Sequence, residues 1–424
     1  MNSFRRLSIL VFFACLVTSC TTEPGTNSNR TVVTATPSPT ASPSPAAATE
    51  TTSAQVTLPL LDALLADEKF VARVKRDLKL SDEQIESVKR ASSAEIARLR
   101  ETNAEDAEDS GADPRAHADE QLRSILGEDK AKELARLAND YWSKGDTTEA
   151  ANGAAVEMSK EPNAVPSDTR VVVNIPAFRM DVFQNGSLVK SYKVGIGYPE
   201  FPLPQGLRKA QTIIFNPTWT PPDSPWVAKM KNVSPGETVE AGDKDNPLGP
   251  IKIPIGLPSL IHGGKSPARI GKFASHGCVG LTTPQIKDFA ALLARVSNTT
   301  EISDKSIDSY LKDKERTQTV KLNQTIPVEL RYETIVVEDG KLHIYRDVYS
   351  QNTNTEENLR KVLEANGLSL DNLSEQQRQQ ALDAVKSKTK KEITIDLGAV
   401  AQKGYPAPVD LDNGTGKKAT DKRG

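Results

Sequence analysis

The sequence predicts a multi-domain α+β protein in which a small α-helical domain precedes a mainly-β domain. Two changes of pattern indicate this order. Apolar residues recur at helical spacing between residues 56 and 145, whereas from Ser167 onward short β-branched and aromatic runs follow a period of two. Frequent prolines and glycines between Pro199 and Pro235 then favour short strands joined by long loops.

The first residues have the layout of an export signal. Arg5 and Arg6 form a basic region, an apolar run follows, and Val17-Thr18-Ser19-Cys20 closes the segment. This end resembles a lipobox, which implies cleavage before Cys20 and lipidation of its thiol. An ordinary cleaved secretory signal is the alternative. We therefore expect a periplasmic protein held at a membrane, the outer one, by a lipid anchor.

The helical domain follows a segment rich in Thr, Ser, Pro and Ala, whose composition predicts a disordered linker. Ser81 and Gln84 can cap each other's amides, which predicts a helix start. Since no Cys or second His lies three or four residues after His117, we expect His117 to be a solvated helix residue. The function expected of this domain is to position the rest of the protein or to recruit an envelope protein partner.

The remaining elements follow from local signals. Asn185-Gly186 predicts a hairpin turn, and Thr283-Pro284 opens a helix. Residues 356–366 and 374–386 predict two further helices, and Ile393 begins a candidate strand. The predicted division is: signal peptide 1–19, lipidated Cys20 with linker 20–55, helical domain 56–145, linker 146–167, β-rich domain 168–350, α/β extension 351–402 and disordered tail 403–424.

The charge balance excludes one class of function. The 424 residues contain 54 Lys and Arg against 56 Asp and Glu, a formal net charge of −2. This near balance argues against a general binder of nucleic acid.

Cys278 is the residue that points most directly to chemistry. The other two cysteines, Cys15 and Cys20, belong to the export segment, so Cys278 has no partner for an intramolecular disulfide. A nucleophilic thiol needs an imidazole within hydrogen-bond reach to take its proton. Two histidines compete for this role, His276 in the same turn and His262 sixteen residues upstream.

The residues around the thiol suit a turn. Gly277 has no side chain to block an approaching carbonyl, and the amides around Gly277 and Cys278 can donate to a developing oxyanion. We expect Ser275 to stabilise this loop rather than to react.

Several motifs together resemble one family. These motifs are Pro202-Leu203-Pro204-Gln205-Gly206, Asn216-Pro217-Thr218-Trp219, Asn246-Pro247-Leu248-Gly249-Pro250, His262-Gly263 and Ser275-His276-Gly277-Cys278. In order and spacing they are similar to the YkuD-type L,D-transpeptidase catalytic domain of bacterial cell-wall enzymes, over residues 168–350. The resemblance implies a mixed β-sandwich-like fold with a helix after the nucleophile. It also assigns the base to His262, the orientation of its ring to the Gly263 carbonyl, and a supporting or substrate-contact role to His276.

The resemblance further implies a substrate and a reaction. The substrate would be a peptidoglycan stem tetrapeptide, from which the cysteine releases D-Ala to form a thioester. An amine acceptor then takes the acyl group, giving a 3-3 cross-link or an attached protein. The alternatives are an L,D-carboxypeptidase or cross-link hydrolase on the same site, or a non-catalytic peptidoglycan-binding envelope lipoprotein. No metal or organic cofactor is implied.

One position departs from the family pattern. Members commonly carry Arg two residues after the cysteine, where this chain has Gly280. Glycine cannot pair with a substrate carboxylate, and Arg269 and Lys272 lie in a loop from which they can compensate. Trp219 is a candidate for the substrate groove, with buried packing as the alternative, and we expect His343 to be structural.

Overall fold

The computed structural model describes residues 56–102, 113–144, 158–222, 227, 230–256, 259–387, 391–398 and 404–415. The signal segment, Cys20 and the first linker lie outside these residues. Among the described residues, none of the helices has the length and apolar character needed to cross a membrane. Lipidation and anchoring therefore stay predictions.

The N-terminal domain is helical within its described residues. Its helices are α1 (Leu58–Leu65), α2 (Glu68–Leu78), α3 (Asp82–Thr102), α4 (Pro114–Leu126) and α5 (Glu128–Lys144). As the sequence predicts, Ser81 caps α3: the Gln84 amide donates to Ser81 Oγ and the Ser81 amide donates to Gln84 Oε1, each at 3.2 Å. Phe70, Val74 and Trp142 pack in a core that belongs to this domain.

The β-rich domain is built on one large sheet. Its strands are β1 (Arg170–Asn174), β2 (Arg179–Gln184), β3 (Ser187–Lys193), β4 (Ile196–Gly197), β5 (Gly206–Phe215), β6 (Ile251–Pro254), β7 (Leu260–His262), β8 (Phe273–Ser275), β9 (Val279–Gly280) and β10 (Gln318–Arg331). Eight of them pair in the order β3-β2-β1-β10-β5-β6-β7-β9, and β4 pairs with β8 outside this sheet. The pairs β1 with β10 and β7 with β9 are parallel. The predicted fold class, a mainly-β domain after a helical one, is confirmed.

The helix after the nucleophile is α6 (Thr283–Val296), and α7 (Asp304–Lys312) follows it. Thr282 and Gln285 form a capping box at the start of α6, and Pro284 lies in its first turn. Ile286, Phe289 and Leu293 are fully buried in the sheet's core. The helix thus fixes the segment that directly follows Cys278.

The C-terminal part forms a second, smaller layer. Strands β11 (Ile335–Glu338), β12 (Lys341–Ile344) and β13 (Ile393–Asp396) make an antiparallel sheet, with α8 (Glu356–Ala365) and α9 (Glu375–Lys386) beside it. Val337, Leu342 and Leu359 share a core that excludes the large sheet. Strands β11 and β12, which the predicted boundary at 350 assigns to the β-rich domain, thus pair with β13 of the predicted extension.

The prediction of a disordered tail from residue 403 is wrong for residues 404–415. The Ser191 amide donates to Val409 O (2.9 Å), and the Asp412 amide donates to Ser191 O (3.0 Å). Tyr405 is buried against Phe183. The amino-acid composition does not predict this ordered segment, because backbone pairing with the edge of β3 needs few apolar side chains.

Arg179 joins three parts of the chain. Its guanidinium donates to Asp181 Oδ1 (2.9 Å) beside it, to Glu338 in β11, and to Pro406 O (3.2 Å) in the C-terminal segment. The side chains of Arg179, Asp181 and Glu338 are all at least nine-tenths buried. The large sheet, the small sheet and the tail therefore share one ion network.

The helical domain meets the β-rich domain at the β4–β5 loop (residues 198–205). Thr57 Oγ1 donates to Glu200 O in this loop (2.8 Å). Arg115 makes a second contact, with Ser350 O in the segment that follows β12. Glu200 is only 3% exposed, and its Oε2 has no hydrogen-bond partner. Burial, followed by repulsion from Glu95, raises the pKa of Glu200 to about 7.

This buried carboxyl makes stability depend on pH. Its folded-state pKa lies above the ordinary value, so the folded state binds the extra proton and loses stability as pH rises from about 4.5 to 7. We expect Glu200→Gln to raise the free energy of unfolding at pH 8 by up to about 3 kcal/mol, and to change it little at pH 4.5. Urea unfolding at both pH values measures this, with the exposed Glu237→Gln as control. An equal effect of Glu200→Gln at both pH values would contradict the assignment.

Candidate active site

Two short parallel strands bring the candidate nucleophile and base together. In the register of β7 and β9, Ile261 pairs with Val279 and His262 pairs with Gly280. Cys278 directly precedes β9, so its side chain points to the same face as position 280 and therefore as His262. Diagonal neighbours at this spacing lie roughly 7–8 Å apart at Cα, within reach of longer side chains. Cys278 is partly exposed and His262 is buried.

The backbone sets the orientation of the His262 ring. Nδ1 lies 2.8 Å from Gly263 O, and a carbonyl can only accept, so Nδ1 carries the proton and Nε2 is left as the acceptor. This is the contact that the family resemblance implies. The ring is thus prepared to take a proton at Nε2.

Electrostatics keep both groups neutral in the resting site. Burial, followed by the charge of Lys265, lowers the pKa of His262 to about 3. Burial also raises the pKa of the Cys278 thiol, an effect that the Leu260 amide and Lys265 offset in part. At neutral pH the pair is therefore thiol and imidazole, and not a preformed thiolate and imidazolium.

The turn before the nucleophile is held by Ser275. Its Oγ accepts from the Cys278 amide (3.1 Å) and donates to the Cys278 carbonyl. Gly277 has φ of +92°, a conformation that L side chains rarely adopt, and a Cβ built there would have no atom nearer than 3.8 Å. Glycine is thus required by the backbone, and space remains above the turn. Because the Cys278 amide is engaged by Ser275, the Gly277 amide is the better candidate for an oxyanion donor.

His276 lies in a row of aromatic rings. Its ring centroid is 5.5 Å from that of Tyr198 and 4.8 Å from that of Phe201. Tyr198 also stacks on Phe273, at the start of β8. This setting favours a role for His276 in shaping the wall of the site and leaves the base to His262.

Arg269 and Lys272 are the two residues expected to compensate for Gly280. Arg269 Nη1 donates to the Tyr198 hydroxyl (2.8 Å), and Lys272 lines a cavity of about 290 Å³ with Phe178 and Tyr345. Trp219 is 8% exposed and packs with Val227 and Leu248, so its position favours buried packing over an open groove.

Lys265 is the residue that sequence reasoning missed. A Cβ built on Gly280 would lie 2.8 Å from Lys265 Cγ and 2.9 Å from Cε, so the lysine stem fills the space of a side chain at 280. The sequence shows a lysine three residues after His262. Only the pairing of β7 with β9 reveals that this lysine lies beside Gly280.

The other histidines lie away from this centre. His343 on β12 has Nδ1 2.6 Å from Glu392 Oε1, and His117 Nε2 lies 3.3 Å from a Glu95 carboxylate oxygen. Within the described residues, no group of three or more His, Cys, Asp or Glu side chains is placed to hold a metal ion. The expectation that no cofactor is needed stays a prediction.

Residues 168–316 match the family model of the YkuD L,D-transpeptidase catalytic domain. No curated protein matches the chain.

Several solved structures are similar to part of the chain. The catalytic domain of an E. faecium L,D-transpeptidase is 16% identical over 40% of this chain and 100% of that chain, with a TM-score of 0.26. L,D-transpeptidases from Mycobacterium smegmatis and Mycobacterium tuberculosis H37Rv are each 14% identical, over 39% and 38% of this chain and 58% and 57% of theirs, with TM-scores of 0.23 and 0.22. A further L,D-transpeptidase structure, an avibactam carbamoyl enzyme, is matched over 49% of its length. The family match and the order of the motifs together identify residues 168–316 as an L,D-transpeptidase catalytic domain.

Proposed function

We propose that the protein is a peptidoglycan L,D-transpeptidase with Cys278 as nucleophile and His262 as general base. The observation that carries the proposal is the parallel pairing of β7 and β9, which sets the thiol on the same face as an imidazole whose Nε2 can accept a proton. This pairing lies inside the segment that matches the family model. The substrate class comes from the family and is part of the proposal.

The first half-reaction forms an acyl-enzyme. The Cys278 sulfur attacks the carbonyl carbon of the third stem residue while its proton moves to His262 Nε2. The carbonyl oxygen becomes an oxyanion, which the Gly277 amide can receive. When the intermediate collapses, the bond between carbonyl carbon and nitrogen breaks, and His262 returns the proton to the leaving nitrogen. D-Ala leaves and a thioester remains.

The second half-reaction transfers the acyl group. An acceptor amine attacks the thioester, gives a proton to His262, and forms an amide as the bond between carbon and sulfur breaks. The Cys278 sulfur then recovers its proton from His262. An amine from a neighbouring stem peptide gives a 3-3 cross-link, and one from a protein gives an attached protein. Water in place of the amine gives the carboxypeptidase product.

A proton cannot move from Cys278 to His262 at low cost before attack. The raised pKa of the thiol and the lowered pKa of the imidazole both disfavour the ion pair. Proton transfer must therefore accompany the formation of the bond between sulfur and carbon, when the negative charge passes from sulfur to the oxyanion.

The central experiment incubates the protein with purified disaccharide-tetrapeptides and follows products by mass spectrometry. We expect D-Ala release, an acyl adduct on Cys278, and tripeptide-linked dimers as the main product. Cys278→Ala should abolish adduct and release, whereas His276→Ala should lower the rate by about 10²-fold or less, since its ring shapes the wall without taking the proton. Tripeptide monomers alone would identify a carboxypeptidase. Substrate binding without any mass change in the wild type would favour the non-catalytic lipoprotein.

The pKa of His262 predicts an unusual pH profile. The base must be neutral to act, and its pKa of about 3 keeps it neutral throughout the range from pH 5 to 8. We expect kcat/KM for D-Ala release to stay flat down to about pH 5 and to fall only below it, because kcat/KM reports groups of the free enzyme. A half-maximal rate near pH 6.5 would show an ordinary, solvated histidine and contradict the assignment.

Membrane attachment through Cys20 is a separate part of the proposal and rests on the sequence alone. Two or three acyl chains bind a bilayer almost permanently, since each buried CH₂ contributes about 0.8 kcal/mol. We expect metabolic labelling with a radioactive fatty acid to mark the wild type and to fail with Cys20→Ala, which should also leave the membrane fraction. Equal labelling of both proteins would exclude lipidation at Cys20.

A further inference from the structure

We propose that the cavity between the β-rich domain and the small C-terminal sheet is a binding site for an acidic sugar, a single sugar ring that carries a carboxylate. The cavity has a volume of about 290 Å³, and neither Cys278 nor His262 lines it. This volume is close to the lower end of the range for ligand pockets, roughly 300–1,000 Å³, so it suits one ring. Binding at this place is independent of the function proposed for the catalytic pair.

Two turns of the β-rich domain form the aromatic part of the cavity. The Val194 amide donates to Phe178 O (2.9 Å), and the Gly271 amide donates to Val194 O (3.0 Å), so one residue connects both turns. Phe178 and Phe273 line the cavity, and their rings meet edge to face with centroids 5.9 Å apart. The backbone thus fixes two aromatic rings beside each other.

Phe178 has an unfavourable backbone conformation. Its φ is +51°, in the left-handed region that bulky residues rarely adopt. Gly or Asn would fit this turn at a lower cost, so the turn geometry itself does not require the aromatic ring. The ring is half-buried and lines the cavity. Residues in such conformations are concentrated at ligand sites, and this supports a binding function for the ring.

Two exposed lysines give the cavity positive charge. Lys193 and Lys272 both line it, and neither ammonium forms a hydrogen bond or a close ion pair with the described residues. The end of Lys193 lies against Gly271, since a Cβ built on this glycine would be 3.1 Å from Nζ and 3.2 Å from Cδ. Arg346 adds a third cation, with its guanidinium 5.9 Å from the centroid of the Phe273 ring.

The small sheet contributes the remaining wall. Tyr345 follows β12 and Glu392 precedes β13, and both line the cavity. Glu392 Oε1 lies 2.6 Å from His343 Nδ1, which connects this carboxylate to β12. The hydrogen bond with His343 lowers the pKa of Glu392, and the charge of Lys193 acts in the same direction. The described lining residues therefore include one carboxylate and three cations.

This combination of groups indicates the class of ligand. The excess of positive charge favours an anion. Glu392 repels a bare anion, but its second carboxylate oxygen, which has no donor among the described residues, can accept from a hydroxyl. The C–H face of a sugar ring can pack on aromatic rings while the hydroxyls at its edge donate. An acidic sugar uses all of these groups. Inorganic phosphate leaves the aromatic wall without a partner, and an aromatic acid gives Glu392 no donor.

Ligand-detected NMR titration of the full-length protein tests the site, with galacturonate as the probe. We expect galacturonate to bind about tenfold more tightly than galactose, benzoate or inorganic phosphate, because it alone combines charge, hydroxyls and a sugar face. Saturation transferred from aromatic protons should appear on its C–H protons. Equal affinities for galacturonate and phosphate would reduce the cavity to an anion site and overturn the proposal, as would a lack of galacturonate binding.

Three variants separate the contributions of charge and ring. The double variant Lys193→Met and Lys272→Met keeps the aliphatic stems and should lower the affinity for galacturonate about tenfold, to that of galactose. Phe178→Leu removes the aromatic face and should weaken the binding of both sugars about two- to tenfold. Lys305→Met removes an exposed cation on α7, away from the cavity, and should change neither affinity. Unchanged galacturonate binding in the double lysine variant would contradict the proposal.

A tetramer of galacturonate distinguishes two sources of the sugar. Tighter binding of the tetramer than of the monomer would identify a unit within a polysaccharide, and binding of the monomer alone would identify a free acidic sugar. These measurements need no turnover at Cys278. A failure to release D-Ala would therefore refute the proposed function and leave the sugar site standing.

Discussion

The parallel pairing of β7 with β9 is the constraint on which the site depends. A slip of one residue in this pairing would turn Cys278 or His262 to the opposite face of the sheet. Close packing prevents such a slip. A Cβ on Gly263 would lie 2.6 Å from Ile286 Cγ2, so β7 lies directly against α6, while the bonds between Gly195 and Gly280 hold β9 from the other side. Two short strands are thus positioned by the elements around them.

The sequence reveals what is local. Asn185-Gly186 marks the hairpin, Ser81 and Gln84 mark a helix start, and the motif around Cys278 marks the nucleophile, because in each case the interacting groups lie within a few residues. The place of Lys265 over Gly280 arises only from strand pairing, and so no spacing along the chain predicts it. The pairing of residues 404–415 with β3 was missed for the same reason, since backbone hydrogen bonds leave little trace in composition.

Lys265 acts on the two reacting groups in opposite ways. A nearby cation favours the thiolate of Cys278 but disfavours the imidazolium of His262. These two effects oppose each other in the ion pair, whose net charge is zero, so the cation changes little in the equilibrium between the neutral pair and the ion pair. A negative charge that arrives from outside is stabilised without this cancellation. The oxyanion formed during attack by a thiol on a carbonyl is such a charge.

A chain of direct contacts connects the helical domain to the catalytic turn. Thr57 binds the carbonyl of Glu200, and Phe201, the next residue, has its ring against His276. A Cβ on Gly197 would lie 2.2 Å from Phe201 O and 3.1 Å from the Gly277 amide nitrogen, so the β4–β5 loop and the turn before Cys278 are packed with no spare volume. Because such a contact has no slack, a displacement of the helical domain that moves Glu200 must also be accommodated at the turn. The helical domain therefore contacts the loop that packs against the catalytic turn.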